Sequence, residues 1–122
     1  MSSVDNLKKI IPQDQLFPPT HTDAWLAHHG FEAWGKFNWI CPDVLEMYFG
    51  KQDSLEEMVE NSSWLQCSGY REAFEEMRRQ WPHCSMALNW CYNEPWITVA
   101  NNSIIEYPAR PKPAYEAVKS AM

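Results

Sequence analysis

The clearest pattern of apolar and polar positions in this chain begins at Ser54. Ser54 and Glu57 form the S-x-x-E motif of a capping box, in which each side chain accepts a hydrogen bond from a backbone N–H. Apolar or small residues then recur every three or four positions, with charged residues between them. This series consists of Leu55, Met58, Val59, Ser62, Leu65, Gly69, Ala73, Met77 and Trp81. It predicts a long amphipathic helix over residues 54–80, with its charged face in solvent.

Three shorter helices are predicted upstream, and each has a recognisable boundary. Residues 4–11 carry apolar side chains at helical spacing and are followed by a proline. Residues 23–30 end in a glycine, while residues 42–49 open on a proline and precede a glycine. The proline-rich stretch 12–22 between the first two helices predicts an irregular loop.

The period of the pattern changes after the long helix. Residues 85–92, Ser-Met-Ala-Leu-Asn-Trp-Cys-Tyr, are nearly continuous in apolar side chains and lie between a Pro-His break and Asn-Glu-Pro. Such a run predicts a strand buried on both faces, because a buried helix of this length would be unusually short. A final helix is predicted over residues 114–122. The order of helix, strand, loop and helix indicates an α/β fold.

Composition adds an unusual aromatic content to this pattern. The chain of 122 residues, about half of the roughly 250 in a complete α/β barrel, contains seven tryptophans. Tryptophan fills cores and also forms platforms for the apolar faces of sugar rings, so both roles stay open. The net charge of −6 argues against a nucleic-acid partner, because phosphate backbones repel an acidic chain. The sequence shows neither an apolar run of membrane-spanning length nor the pattern of a signal peptide.

Metal and cofactor binding receive no support from the sequence. The four cysteines form no C-x-x-C pair and are not accompanied by a His-x₃-His motif, so zinc is not expected. His28 and His29 are adjacent on a predicted helix and point in different directions, so one metal cannot easily take both. We therefore predict neither a metal site nor a cofactor.

Two motifs in the C-terminal half carry a resemblance to a known family. Residues 89–96 read N-W-C-Y-N-E-P-W, and residues 104–119 read I-I-E-Y-P-A-R-P-K-P-A-Y-E-A-V-K. They resemble the last strand, loop and helix of the catalytic barrel in glycoside hydrolase family 2. There a W-x-x-N-[DE]-x-W block ends the eighth strand, and an R-P-K-P-A-Y-x-A-x-K run opens the final helix. Residues 3–18 resemble the segment after the seventh strand, as found in exo-β-glucosaminidases and β-mannosidases.

The resemblance implies a fold and an activity. Residues 1–122 are expected to be the C-terminal portion of a (β/α)₈ TIM-barrel catalytic domain, helix-rich and including the last barrel strand and helix. The whole enzyme is expected to be a retaining exo-acting β-glycosidase of the β-mannoside or β-glucosaminide type. The alternative is a non-catalytic helical module that binds carbohydrate or another protein. Ile97 stands where many family members have proline, and Asn101 and Asn102 replace a common Trp-Ser pair, so the sugar stays open.

The resemblance also implies that this chain is inactive alone. Retaining glycosidases use two carboxylates about 5–5.5 Å apart, one as nucleophile and one as acid/base. In the family these are glutamates at the ends of strands four and seven, and neither position falls within this chain. We therefore assign no catalytic residue and expect no turnover by residues 1–122.

Four residues around the end of the predicted strand are candidates for binding a β-linked saccharide: Trp90, Asn93, Glu94 and Trp96. The two tryptophans could offer ring faces to a pyranose or pack inside the barrel mouth. Asn93 could donate to a sugar hydroxyl or cap the turn before Pro95. Glu94 lies at the end of a predicted barrel strand, where it could act in catalysis, contact substrate or support a contacting residue, or cap a helix or loop. A single carboxylate cannot perform retaining hydrolysis.

Two further expectations concern the chain itself. Glu106 and Arg110 are expected to form a structural ion pair. The strand over residues 85–92 lacks its barrel neighbours in this chain, so its unpaired N–H and C=O groups predict self-association through paired strands. The alternative is that the chain's own helices cover the strand.

Overall fold

The computed structural model of the protein describes residues 1–35 and 37–122. These residues form five α-helices, one 3₁₀ turn and two strands of two residues each. In chain order the elements are α1 (Val4–Ile10), the 3₁₀ turn Gln13–Gln15, α2 (Asp23–Ala27), α3 (Pro42–Phe49), α4 (Leu55–Arg79), β1 (Ile105–Glu106), β2 (Arg110–Pro111) and α5 (Pro113–Ala121). All five predicted helices are confirmed, and α2 ends earlier than predicted.

The chain divides into two compact units. Residues 1–62 and 96–101 form the first unit, and residues 63–95 and 102–122 form the second. The first unit therefore contains α1, α2, α3 and the start of α4. The second contains the rest of α4, both strands and α5.

Trp25 is the largest fully buried side chain of the first unit. Its indole N–H donates a hydrogen bond of 2.7 Å to the carbonyl of Gln15, which satisfies the buried polar group. A Cβ at Gly30 would lie 3.0 Å from the Trp25 ring and 3.2 Å from its carbonyl oxygen. The glycine after α2 therefore lets the chain pass close to this tryptophan. Leu7 and Leu45 of α1 and α3 are also buried in this unit.

The capping box at the start of α4 is confirmed. The backbone N–H of Glu57 donates to Ser54 Oγ at 3.1 Å. In return the Glu57 carboxylate accepts the backbone N–H of Asp53 at 2.8 Å. A capping box predicts the N–H of Ser54 as this donor, one residue later in the chain. Arg78 and Arg79 lie in the last turn, where positive charge complements the helix dipole.

The second half of α4 packs through a different face from the predicted one. No heavy atom outside the local chain lies within 4 Å of a Cβ built at Gly69, and Ala73 is exposed. Instead Cys67, Tyr70 and Phe74 pack against the buried core of the second unit. That core consists of Ile104, Ile105, Ala114 and Val118. Tyrosine and phenylalanine offer more apolar area than glycine and alanine, and this area decides the buried face.

The strand predicted over residues 85–92 is not formed. Within the described residues, no backbone N–H from 85 to 90 donates a main-chain hydrogen bond. A strand exists only where its backbone groups pair with a neighbour, and that pairing is a long-range property which an apolar run does not supply. Pairing begins at the end of the segment, where the Tyr92 carbonyl accepts the N–H groups of Ile104 and Ile105, both at 3.2 Å.

Candidate functional site

The candidate binding loop, residues 90–94, includes the end of segment 85–92 and runs beside a short hairpin. β1 and β2 pair antiparallel, a hairpin that the sequence pattern did not predict. The N–H of Glu94 donates to the carbonyl of Ile105 at 3.0 Å, and the N–H of Lys112 donates to the carbonyl of Ile104 at 2.9 Å. These two hydrogen bonds hold the loop and the residue before α5 against Ile104 and Ile105.

Glu94 is the candidate whose side chain is completely buried. Its Oε1 lies 2.6 Å from Lys112 Nζ, and the two side chains are 0% and 5% exposed. Ser103 Oγ donates to the same carboxylate oxygen at 2.9 Å. The lysine contact is an ion pair whose angles fall outside hydrogen-bond geometry, and Oε2 has no hydrogen-bond partner among the described residues. A carboxylate in this environment is held as a paired buried charge.

Trp90 and Asn93 lie on the same loop but face solvent. Trp90 is 76% exposed, and Asn93 is exposed as well. An accessible aromatic ring can offer an apolar face to a sugar ring, and an accessible amide can offer it a hydrogen bond. The loop thus carries two accessible groups and one buried charge.

Trp96 is 67% exposed and belongs to the first unit. The other three candidates belong to the second unit. The structure therefore brings Trp90, Asn93 and Glu94 together on one loop, and it does not assign Trp96 to the same compact unit.

Two polar side chains of α4 hold the chain on both sides of the loop. The Tyr70 hydroxyl lies within hydrogen-bond distance of Asn89 Oδ1 and of the Asn102 carbonyl. Gln66 Nε2 donates to the Ser103 carbonyl at 3.1 Å. Burial raises the pKa of Tyr70 above its ordinary value, so the phenol remains a protonated donor at neutral pH.

The predicted ion pair of Glu106 and Arg110 is confirmed. Arg110 Nη2 lies 2.7 Å from Glu106 Oε1, and the glutamate side chain is 7% exposed. The pair spans the turn between β1 and β2, where the N–H of Ala109 donates to the Glu106 carbonyl at 2.8 Å. It stabilises the hairpin against which the candidate loop lies.

Sequence reasoning did not identify the residues that hold this loop in place. Lys112, Ser103, Tyr70 and Asn89 were not among the candidates. Lys112 stands between two prolines at the head of a helix, an unusual place for a residue that is 5% exposed. Nothing in the linear pattern pairs it with Glu94, because the contact depends on the hairpin between them.

The described residues contain neither a metal-binding cluster nor a membrane-spanning helix. In residues 1–35 and 37–122, no group of three His, Cys, Asp or Glu side chains is arranged to hold a metal ion. None of the helices in these residues combines the length and the apolar character needed to cross a membrane.

Comparison with known proteins relates part of the chain to a glycosidase. Over 67 residues, 52% of its length, the chain is 37% identical to Beta-mannosidase B of Aspergillus niger (strain ATCC MYA-4892 / CBS 513.88 / FGSC A1513). The chain spans 8% of the length of that relative. No family model matches the chain, and no solved structure matches it. The similarity supports a glycosidase-like origin for this chain.

Proposed function

We propose that residues 1–122 are the C-terminal part of the (β/α)₈ catalytic domain of a family 2 glycoside hydrolase. The whole enzyme is a retaining, exo-acting β-glycosidase on β-mannosides or β-glucosaminides. The observation that carries this proposal is the 37% identity to a protein named as a β-mannosidase. The motifs in residues 89–96 and 104–119, which resemble the end of such a barrel, support it.

In this proposal the loop of residues 90–94 forms part of the sugar site. Trp90 presents a ring face to the apolar side of a pyranose, and the Asn93 amide hydrogen-bonds a ring hydroxyl. Both side chains are exposed and therefore available to a ligand. Trp96 remains a candidate platform in the first unit.

Glu94 has a different role in the proposed site. Because its carboxylate is buried and paired with Lys112, it acts as a positioning residue and does not contact the sugar. It fixes the loop between two exposed neighbours, Asn93 and Pro95. The two catalytic glutamates of the family belong to other strands of the barrel, so this chain contributes binding groups and no nucleophile.

A titration of the purified chain with simple sugars tests the site. Methyl β-mannoside and methyl β-glucosaminide are added while nuclear magnetic resonance follows the tryptophan indole and asparagine amide signals. We expect the signals of Trp90 and Asn93 to shift with either β-anomer, and to shift less with methyl α-mannoside.

Matched variants assign the effect to one side chain. Trp90→Ala should abolish the shift at Asn93, whereas Trp81→Ala should preserve it, since Trp81 is similarly exposed in the same unit. Equal binding by Trp90→Ala and the unmodified chain would show that the loop is not the sugar site. Absence of any shift up to the solubility limit of the sugars would also contradict the proposal.

A further inference from the structure

Residues 102–105 connect α4 to the candidate loop through hydrogen bonds on both sides. On the side of α4, Gln66 Nε2 donates to the Ser103 carbonyl at 3.1 Å. On the side of the loop, the N–H of Glu94 donates to the carbonyl of Ile105 at 3.0 Å. All of these residues belong to the second compact unit. The position of α4 is therefore transmitted to the loop through this short segment.

Ser103 is the residue of this segment that contacts both α4 and the Glu94 side chain. Its carbonyl accepts the hydrogen bond from Gln66, and its hydroxyl donates to Glu94 Oε1 at 2.9 Å. Ser103 is 0% exposed, so bulk solvent does not compete for the hydroxyl. A hydrogen bond in such surroundings is electrostatically stronger than one in water.

The two groups that pair with the Glu94 carboxylate act on it in different ways. Lys112 Nζ lies 2.6 Å from Oε1 but outside hydrogen-bond geometry, so the ammonium attracts the carboxylate as a point charge. The Ser103 hydroxyl makes a hydrogen bond, whose strength depends on direction as well as on distance. Oε2 has no hydrogen-bond partner among the described residues. Within the described chain, Ser103 is therefore the side chain that fixes the rotation of this carboxylate.

We propose that Ser103 is a positioning residue of the sugar-binding loop, and that it acts through Glu94 on the neighbouring Asn93. The inference rests on the proposed function, because it assigns how that sugar site is held in place. Ser103 is fully buried and does not contact the sugar itself. Loss of its hydroxyl should loosen the loop without detaching it, since the contacts of Glu94 with Ile105 and Lys112 remain.

Ser103→Ala tests this role because it removes only the hydroxyl of a buried residue. Titration with methyl β-mannoside, followed by nuclear magnetic resonance at Asn93, should show a Kd raised about 2- to 10-fold, which corresponds to the loss of one hydrogen bond. Without sugar, the carboxyl carbon signal of Glu94 should shift. The order parameter of the Asn93 backbone amide should also fall below the value of about 0.85 that is typical of a rigid backbone.

Gln66→Met tests the other end of the connection and does not depend on the folding of Ser103→Ala. It removes the donor to the Ser103 carbonyl and keeps a side chain of similar length. We expect the Glu94 and Asn93 signals to change in the same direction as in Ser103→Ala. The change should be smaller, because the Tyr70 hydroxyl still contacts the preceding carbonyl.

Two variants elsewhere in the second unit are the matched controls. Ser120→Ala removes a hydroxyl that donates to the Ala117 carbonyl at 3.0 Å, so it also loses one serine hydrogen bond. Ala117→Gly destabilises α5, because glycine is a poor helix former, and it removes no polar contact of the loop. Both controls should retain the Kd and the Glu94 signal of the unmodified chain.

Three results would overturn the inference. One is that the Glu94 and Asn93 signals stay unchanged in Ser103→Ala, whether or not the unmodified chain binds sugar. Another is that these signals change while the Kd does not. The third is that Ala117→Gly raises the Kd as much as Ser103→Ala, because the effect would then reflect the stability of the unit alone. Failure of the unmodified chain to bind sugar contradicts the proposed function, while the signals measured without sugar still test Ser103, so the two failures are distinguishable.

Discussion

The ammonium group of Lys112 lies 2.6 Å from the carboxylate of Glu94, and both side chains are almost completely buried. β1 and the residue before it bring the two together, because Ile104 and Ile105 accept the backbone N–H groups of Lys112 and Glu94. Removing two charges from water is costly, and their attraction offsets this cost only while both partners are present. We therefore expect the pair to fix the position of the loop more than it adds net stability.

Loss of one partner should be strongly destabilising. We expect Lys112→Met to lower the free energy of unfolding by about 3–5 kcal/mol, because it leaves the Glu94 carboxylate buried without a counter-charge. Urea denaturation followed by circular dichroism measures the change. Lys119→Met is the control. Lys119 lies 3.6 Å from Glu116 in an exposed pair, and its loss should cost at most about 1 kcal/mol.

A double variant separates the charge from the packing. Glu94→Gln combined with Lys112→Met removes both charges and should recover part of the stability that Lys112→Met loses. If the double variant is no more stable than Lys112→Met, the cost comes from lost packing of the lysine side chain and not from an unpaired charge.

The cap of α4 gives a second prediction. Ser54 accepts the N–H of Glu57, and Ser54→Ala should lower the free energy of unfolding by about 0.5–2 kcal/mol. Ser54→Asp should retain most of the stability, because aspartate caps helices about as well as serine. Urea denaturation of the three proteins tests both statements. Equal stability of the alanine variant and the parent would show that this hydrogen bond does not stabilise the chain.

The helices could be predicted from sequence because their signals are local. Pro42 opens α3, Gly50 follows it, and the Ser54 cap acts within one turn of α4. The buried face of α4 could not be predicted correctly, because Tyr70 and Gly69 are neighbours and only the rest of the unit decides which one faces inward. Local chemistry determines where a helix begins and ends, whereas packing determines its orientation.

In the candidate site, too, the features that depend on local sequence could be predicted, and those that depend on long-range contacts could not. The loop carrying Trp90, Asn93 and Glu94 could be singled out because its motif is contiguous in sequence. The role of Glu94 could not be predicted, because its partner Lys112 is brought near only by the hairpin. The strand expected over residues 85–92 requires a neighbouring strand, and an apolar run in the sequence cannot show whether one is present.

The proposed function gives a third prediction, about activity. Family resemblance places neither catalytic glutamate within residues 1–122, and Glu94 is buried against Lys112. Without a pair of carboxylates the covalent route of a retaining glycosidase is closed. We expect the purified chain to release no nitrophenol from nitrophenyl β-mannoside, β-glucosaminide or β-galactoside. Hydrolysis that co-purifies with the chain and persists through successive columns would contradict this expectation.

The fourth prediction concerns Tyr70 at high pH. Burial raises the pKa of the Tyr70 phenol above its usual value of 10.0. A group whose pKa is higher in the folded state than in the unfolded state stabilises the fold while it is protonated. The stabilisation is therefore complete below pH 10.0 and is lost as the pH rises through the folded-state pKa.

Tyr70→Phe tests this dependence because it removes the hydroxyl and keeps the ring. At neutral pH the variant should lose about 0.5–1.5 kcal/mol, the usual contribution of one hydrogen bond. Above pH 10.0 the difference between variant and parent should shrink, since the parent then loses the same interaction. The thiol of Cys67, whose pKa is also raised by burial, is present in both proteins, so their difference isolates the phenol. Tyr48→Phe, at a residue 63% exposed on α3, is the matched control for loss of a hydroxyl and should leave the stability at neutral pH unchanged. A stability difference between Tyr70→Phe and the parent that stays constant above pH 10.0 would mean that ionisation of Tyr70 does not weaken its hold on Asn89 and Asn102.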